Sequence, residues 1–461
     1  MQKGVVDFIT LGCSKNLVDA ERVMRQLEAA GWHCVHDPED PKGEICVINT
    51  CGFIGDAKEE SINMILQMAE RKKQGKLRKL IVMGCLSERY RAELEEELPE
   101  VDEMYGKFDF ENLTLSLSRG EGKNAGCHPA QLTKEQGGCA PYERKLTTPG
   151  HYAYLKISEG CNRMCSYCAI PLITGRHTSR PKEEILAEVR WLVSQGVKEL
   201  NVIAQDLSSY GLDLNKGQRD QVQCTKAHLL PELIDEMAQI EGVEWIRLHY
   251  AYPTDFPEGL LDVMARHANV CKYLDIALQH CTDHMLGLMR RHITRAEQDA
   301  LIRQIREKVP GICIRTTLLV GHPGETEEDF EELKEWVKQM RFERMGCFAY
   351  SDEEGTYANR HYKDDVPQEV KEARAAELMA IQQEISGELM QRFVGKTEKV
   401  IIDREEGGYF IGRTQYDSPE VDCEVLIAKT QECSLRTGEF YDVKITRAEE
   451  FDLYGEVRIE N

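Results

Sequence analysis

Ile157-Ser158-Glu159-Gly160-Cys161-Asn162-Arg163-Met164-Cys165-Ser166-Tyr167-Cys168-Ala169-Ile170-Pro171 follows directly on a strand-like run, Tyr152 to Ile157. Its three cysteines, separated by three residues and then by two, can deliver three thiolates to one metal centre and leave one coordination position empty. Sites closed by four cysteines have no such vacancy, whereas a cubane held by three thiolates keeps one iron free for another ligand. The competing reading is a structural zinc knuckle. That reading needs a fourth ligand, and His177 is the near candidate.

Outward from this stretch, strand and helix alternate six times between His151 and about Phe393. The predicted strands are Tyr152 to Ile157, Glu199 to Ala204, Trp245 to Ala251, Tyr273 to Leu278, Ile312 to Val320 and Met345 to Tyr350. Lys182 to Ser194, Glu327 to Gln339 and Val370 to Gln391 read as helices between and after them. Six such units predict an incomplete barrel whose chemistry lies on the loops that follow the strands. Those loops carry, in turn, the cysteine triad, Gln205-Asp206, Tyr252-Pro253, Gln279-His280 and Gly321-His322-Pro323-Gly324-Glu325-Thr326. The last one opens a helix. It is either a set of backbone amides for a carboxylate or ribose, or an ordinary turn with Thr326 as the cap. Asp206 and His280 are polar contacts or proton carriers on one reading and hydrogen-bonded strand-end groups on the other. Cys224, Cys271, Cys281, Cys313 and Cys347 form no spaced set and read as packing residues.

Upstream, Val5 to Leu11, Glu44 to Gly52 and Leu80 to Cys85 read as strands of a parallel sheet. Helices at Asn16 to Ala30, Ala57 to Lys73 and Ser87 to Leu98 alternate with them. Cys13, Cys51 and Cys85 each stand directly after one of these strands, beside Gly12, Gly52 and Gly84. In an open parallel sheet the carboxyl ends of the strands form the ligand crevice, so three strands deliver three thiols to one rim. Alternatively, strand-end cysteines are small buried hydrophobes. Leu113 to Leu117 closes this first region. Residues 119–150, rich in Gly, Lys and Thr, read as a linker whose Cys127 and Cys139 are spare thiols.

The tail changes character. Val400-Ile401-Ile402, Tyr409 to Arg413, Val425-Leu426-Ile427 and Tyr441 to Ile445 are short strands that predict a small barrel. Residues 391–461 hold ten Lys and Arg against sixteen Asp and Glu. The expected division is therefore 1–118, a linker at 119–150, 151–390 and 391–461. The whole chain of 461 residues carries a formal charge of −22, which argues against a surface built for phosphate and suits a basic partner. It lacks both a signal-peptide pattern at its start and an apolar run of membrane-spanning length, so a cytoplasmic chain with no membrane contact is expected. Seventeen cysteines in that setting point to metal or redox chemistry.

With these pieces assembled, the sequence resembles the radical S-adenosylmethionine methylthiotransferase family, of the RimO type, over nearly its whole length. The resemblance is carried by Leu11 to Asn16, Asn49 to Ile54, Met83 to Leu86, Lys156 to Cys168, Ser179-Arg180-Pro181 and Val202 to Asp206. It extends through Gly321 to Thr326, Glu354-Gly355-Thr356, Gly412-Arg413-Thr414 and Asp417 to Glu420. It implies an α/β chain with a flavodoxin-like amino-terminal sheet, an incomplete (β/α)6 radical SAM barrel and a small all-β TRAM barrel that docks substrate. It further implies two 4Fe-4S clusters, one on Cys161, Cys165 and Cys168 that cleaves S-adenosylmethionine to a 5'-deoxyadenosyl radical. The other, on Cys13, Cys51 and Cys85, supplies sulfur. By the same analogy Tyr167 and Ile170 pack near the adenine and Gln205 positions the cofactor. The implied substrate is an aspartate of a small-subunit ribosomal protein, with a flavodoxin-like or ferredoxin-like electron donor and a separate sulfur donor. Sister enzymes of the same architecture act on an adenosine of tRNA. The acidic tail favours a Lys- and Arg-rich protein over RNA. A non-enzymatic iron-sulfur regulator is the remaining alternative.

Overall fold

Five parallel strands open the chain: β1 (Val5–Thr10), β2 (His33–His36), β3 (Ile45–Thr50), β4 (Lys79–Gly84) and β5 (Glu103–Met104). They lie in the order β2-β1-β3-β4-β5. This is the flavodoxin order, with the topological switch between β1 and β3. The computed structural model describes residues 3–118, 139–214, 228–430 and 434–457. Cys127 and Cys224 lie outside them.

Every residue of β3 is buried, as expected of a central strand covered on both faces. On one face Val6, Phe8 and Val47 pack against Val23 and Leu27 of the helix Ser14–Ala29, and against Leu113 and Leu117 of the helix Phe110–Ser118. On the other, Ile48, Leu80 and Val82 pack against Ile65 and Leu94. Strands β2 and β5 went unread in the sequence. Four residues with a histidine at each end and no period-two alternation, and a pair of two, are too short to register.

The central sheet comprises β6 (Tyr152–Lys156), then β9 (Glu199–Ile203), β10 (Trp245–Ala251), β11 (Val270–Ile276), β12 (Cys313–Val320) and β13 (Arg344–Ala349). All neighbours are parallel, and each strand lies beside its predecessor in the order β13-β12-β11-β10-β9-β6, the open barrel expected. A two-stranded ribbon, β7 (Ser158–Glu159) with β8 (Thr178–Ser179), pinches the base of the cysteine loop. Helix Lys182–Ser194 matches its expected bounds. Thr326 caps Glu327–Met340 through a reciprocal bond with Asp329.

The tail closes into a barrel of β14 (Thr397–Glu406), β15 (Tyr409–Thr414), β16 (Glu424–Ala428), β17 (Phe440–Ala448) and β18 (Asp452–Val457). Closure removes the free edges that a five-stranded sheet would expose. This barrel sits under the amino-terminal ends of the central strands. Ile401 and Phe440 pack on Trp245, the first residue of β10. Arg344, the first residue of β13, pairs with Asp417 at 2.6 Å.

The amino-terminal sheet covers the opposite end. Lys156, the last residue of β6, pairs with Asp19. Beyond β13, the buried Glu353 pairs with Lys58 at 2.8 Å and Arg89 at 2.9 Å. The helices of the first sheet therefore bridge β6 and β13, the two edges that the open barrel leaves apart.

Candidate active site

Cys13 stands at the start of the helix Ser14–Ala29, Cys51 follows β3, and Cys85 opens the helix Cys85–Glu97. Two glycines let these ends close on each other. A Cβ on Gly12 would lie 3.1 Å from Cys51 Sγ, and one on Gly52 would lie 2.7 Å from Leu86 Cα, so only glycine fits either place. Asn16 ties the three ends together. Its Nδ2 donates to Leu11 O at 3.2 Å and Thr50 O at 3.1 Å, while Cys85 Sγ donates to its Oδ1 at 3.5 Å.

Burial pushes the Cys85 thiol up to about 12, with the Lys107 ammonium opposing it. Burial also raises Cys51. Cys13 is exposed at the rim, and Lys15, the Asn16 amide and Lys107 outweigh its enclosure by neighbouring atoms and acidify the thiol. Thiols raised in this way become thiolates against the charge of a metal centre, which is what a cluster site requires.

The second triad occupies the loop after β6. Cys165 is buried, and Cys161 and Cys168 are half-buried. Cys161 Sγ accepts from the Arg163 amide at 3.5 Å. Cys165 Sγ lies 3.3 Å from Arg291 Nη1 and 3.5 Å from Tyr252 OH. Burial raises Cys161 to about 12 and raises Cys168 as well. A cavity of about 610 Å³ lies beside Cys161, Met164, Leu172 and His177. His177, the candidate fourth zinc ligand, instead places Nε2 3.1 Å from Ser179 Oγ. Among the described residues no three His, Cys, Asp or Glu side chains gather as a single metal ion would need.

The two triads stand on neighbouring elements. Cys85 packs in one apolar cluster with Ala169 and Ile173, next to Cys168. Beside them a buried ionic chain crosses between the sheets: Asp19, Lys156, Glu159 and Gln205, with Lys107 Nζ 3.4 Å from Glu159 and 3.6 Å from Asp19. Against the cost of burial, Lys156 and Lys107 hold the Glu159 carboxyl down at about 2, so it stays ionised. Gln205 Oε1, Asp206 Oδ1 and Arg163 Nη2 are buried without a hydrogen-bond partner among the described residues, unmet capacity of the kind a polar cofactor satisfies.

Other expected residues fall as follows. Ile170 begins the helix Ile170–Thr174, and Tyr167 sets its OH 3.3 Å from Arg291 Nη1. The amides of Gly321 and Gly324 do not wait for a ligand. They donate to Glu325 at 2.7 Å and Asp365 at 3.0 Å, so that loop is a turn and cap. Asp206 accepts from Arg163 at 2.6 Å, and the buried His280 lies 3.3 Å from Glu325. Cys139 is a single buried thiol near Arg25 and Glu143. Cys271, Cys281 and Cys313 are core residues and Cys347 packs at the core's edge. Tyr252 and Arg163 were placed on strand-end loops from sequence but given no role, and nothing in the local spacing of Arg291 and Lys107 marks them.

Residues 5–106 match the uncharacterized protein family UPF0004, residues 155–337 the radical SAM superfamily and residues 394–457 the TRAM domain. The chain is 61% identical over 457 residues to the ribosomal protein uS12 methylthiotransferase RimO of Phocaeicola vulgatus, covering 99% of this chain and 100% of that one. It belongs to the ribosomal protein uS12 methylthiotransferase family. The family's proteins of the same name from Bacteroides thetaiotaomicron and Porphyromonas gingivalis are 60% and 54% identical, each over 99% of this chain and 99–100% of theirs. Among solved structures, the radical S-adenosylmethionine methyltransferase TsrM from Kitasatospora setae, with cobalamin and a [4Fe-4S] cluster bound, shares the fold. Its TM-score is 0.51 at 14% identity, over 76% of this chain and 75% of that one. As a member of the family, the chain is a radical SAM methylthiotransferase that works with S-adenosylmethionine and 4Fe-4S clusters.

Proposed function

We propose that this chain replaces a carbon–hydrogen bond on the β carbon of an aspartate in ribosomal protein uS12 with a methylthio group. The observation that carries the reading is the pair of thiol triads in one chain, at the strand ends of two sheets, with Cys85 of the first packed on the helix that follows Cys168 of the second. Two clusters and S-adenosylmethionine, when bound, supply the radical, the methyl group and the sulfur; the protein supplies position and field. Cys161, Cys165 and Cys168 hold one cluster, and Cys13, Cys51 and Cys85 hold the other. Gln205, with Arg163 and Asp206, fixes the polar end of the cofactor, and Tyr167 and Ile170 lie along its adenine. The ionic chain from Asp19 to Gln205 keeps the two centres at a set separation. The division into 1–118, 151–390 and 391–461 then assigns sulfur supply, radical generation and docking to separate units.

Charge favours the protein substrate. Three of the tail's cations are engaged: Arg404 with Glu406 and Glu424, Lys429 with Glu405, and Arg413 buried against Glu199 and Asp403. An excess of carboxylates remains to meet a Lys- and Arg-rich ribosomal protein. The electron donor is a small flavodoxin-like or ferredoxin-like protein, a separate donor renews the sulfur, and the enzyme works in the cytoplasm. Among the described residues no helix is long and apolar enough to cross a membrane. The test is mass spectrometry of ribosomal proteins from cells with and without this chain. The methylthio increment on uS12 is expected to vanish with it; loss from tRNA nucleosides, with uS12 unaltered, refutes the reading.

A further inference from the structure

Arg291 is buried, 2% exposed, and points its guanidinium into the radical SAM cysteine loop. Nη1 reaches Cys165 Sγ and Tyr167 OH, each at 3.3 Å, while Nη2 donates to Ala277 O. The ring of Tyr252 lies beneath it at 4.0 Å, and the Tyr252 hydroxyl is 3.5 Å from the same sulfur. The three thiols are thus unequal. Cys161 and Cys168 accept from the backbone amides of Arg163 and Ile170 and feel the Arg163 and Arg291 charges from further off, whereas Cys165 has the Arg291 guanidinium in direct contact at 3.3 Å.

The backbone holds Arg291 in this pose. Its neighbours Arg290 and His292, neither of them glycine, sit at φ 56° and 54°, in the left-handed region. Two such residues flanking one side chain are held there only where the surroundings over-determine them. Here the surroundings are the cysteine loop and the loop after β10. The Ser166 amide donates to Met289 O at 3.1 Å, and Arg291 O accepts from Thr254 Oγ1 at 2.9 Å and Tyr252 OH at 3.3 Å.

We propose that Arg291 is the positioning residue that sets the reduction potential of the cluster on Cys161, Cys165 and Cys168, through a charge-assisted N–H···S contact to Cys165. Cluster potential follows net charge and the hydrogen bonds made to the sulfurs. A fixed cation on one ligand stabilises the more negative, reduced form, and removing it lowers the potential. This rests on the assignment of that triad to a cluster made above.

The experiment uses the full chain with Cys13, Cys51 and Cys85 changed to Ala, so that one cluster remains, reconstituted anaerobically and titrated potentiometrically with detection by electron paramagnetic resonance. Arg291→Gln is expected to retain its iron and lower the one-electron reduction equilibrium by at least tenfold, which is about 59 mV. Arg291→Lys, which keeps the charge, is expected to fall between the two. A second measurement needs no substitution at Arg291. In protein grown with arginine labelled with ¹⁵N at its guanidino nitrogens, pulsed resonance of the reduced cluster shows a weakly coupled ¹⁵N. An unaltered potential in an iron-replete Arg291→Gln, or no ¹⁵N coupling in the labelled protein, overturns the proposal. A parent protein that binds no four-iron cluster overturns the triad assignment instead, and the two failures are told apart by iron content before any titration.

Discussion

His322 is wholly buried, its Nε2 2.9 Å from Ser166 Oγ, between the rings of Tyr350 and Tyr362. Burial drives its pKa down to about 4, so the folded chain keeps it neutral while the unfolded chain protonates it near the ordinary 6.5. The folded value is the depressed one. The fold therefore loses nothing to this residue above about pH 6.5, and it loses stability as pH falls from there toward 4, by about 3 kcal/mol at the bottom. Thermal unfolding of the metal-free chain between about pH 7 and pH 5 should show this slope, and His322→Gln should flatten it. The six cysteines are tested at the same scale. Reconstituted wild type should bind about eight irons, the content of two cubanes, and changing Cys161, Cys165 and Cys168 to Ala should halve this and abolish 5'-deoxyadenosine. Changing Cys13, Cys51 and Cys85 should also halve the iron but leave cofactor cleavage intact; iron unchanged in either variant defeats the ligand assignment. These six were legible because spacing and position after a strand are local properties. His322 could be found but not interpreted, since its neutrality depends on aromatic rings 28 and 40 residues further on.

Among elements, the loop after β13 does more than its Glu354-Gly355-Thr356 motif suggested. Glu353 inserts between the helices Gly55–Lys73 and Cys85–Glu97, held by Lys58 and Arg89, and Arg89 Nη1 also donates to Gly52 O at 3.1 Å, one residue after Cys51. Arg89 is nearly as buried as its partner. Glu353→Ala then strands a cation in the interface, at a cost of about 3 kcal/mol. Amide exchange in residues 55–73 and 85–97 should quicken, with little change in β9 to β12. Uniform quickening over the whole chain, or none, would show that the clasp is not where the two sheets are joined. The helix at Glu327–Met340 offers the contrast. Its Thr326 cap was readable from sequence and is a local device worth about 1 kcal/mol.

At the scale of the molecule, the TRAM barrel is part of the foundation of the radical SAM sheet. Arg413 reaches Glu199 at 2.8 Å and Asp403 at 2.6 Å, Arg247 reaches the same Glu199 at 2.9 Å, and all of these but Asp403 are fully buried. Tyr273 OH donates to Asp422 at 2.8 Å. Removing residues 391–461 would leave Glu199 with one cation and uncover Trp245, Cys271, Tyr273 and Cys313. Such a chain is expected to aggregate or lose its cooperative unfolding, measured by light scattering and calorimetry; a monomeric, cooperatively folding 1–390 fragment would show that the barrel is a detachable docking module.

By itself the sequence determined the elements and the family chemistry they carry. Apolar runs of five to eight residues bounded by turns set the central strands, and the spacing of Cys161, Cys165 and Cys168 marked one loop for chemistry, because both are readable within a few residues. Three things depended on the tertiary structure: that Cys85 packs beside the second triad's loop, that the first sheet bridges the edges of the open barrel, and that Arg291 rests on Cys165, 126 residues away. The reason is physical. A buried cation or carboxylate has no local signature, since what makes burial tolerable is a partner brought from another strand or another sheet, and only the folded chain states which partner that is.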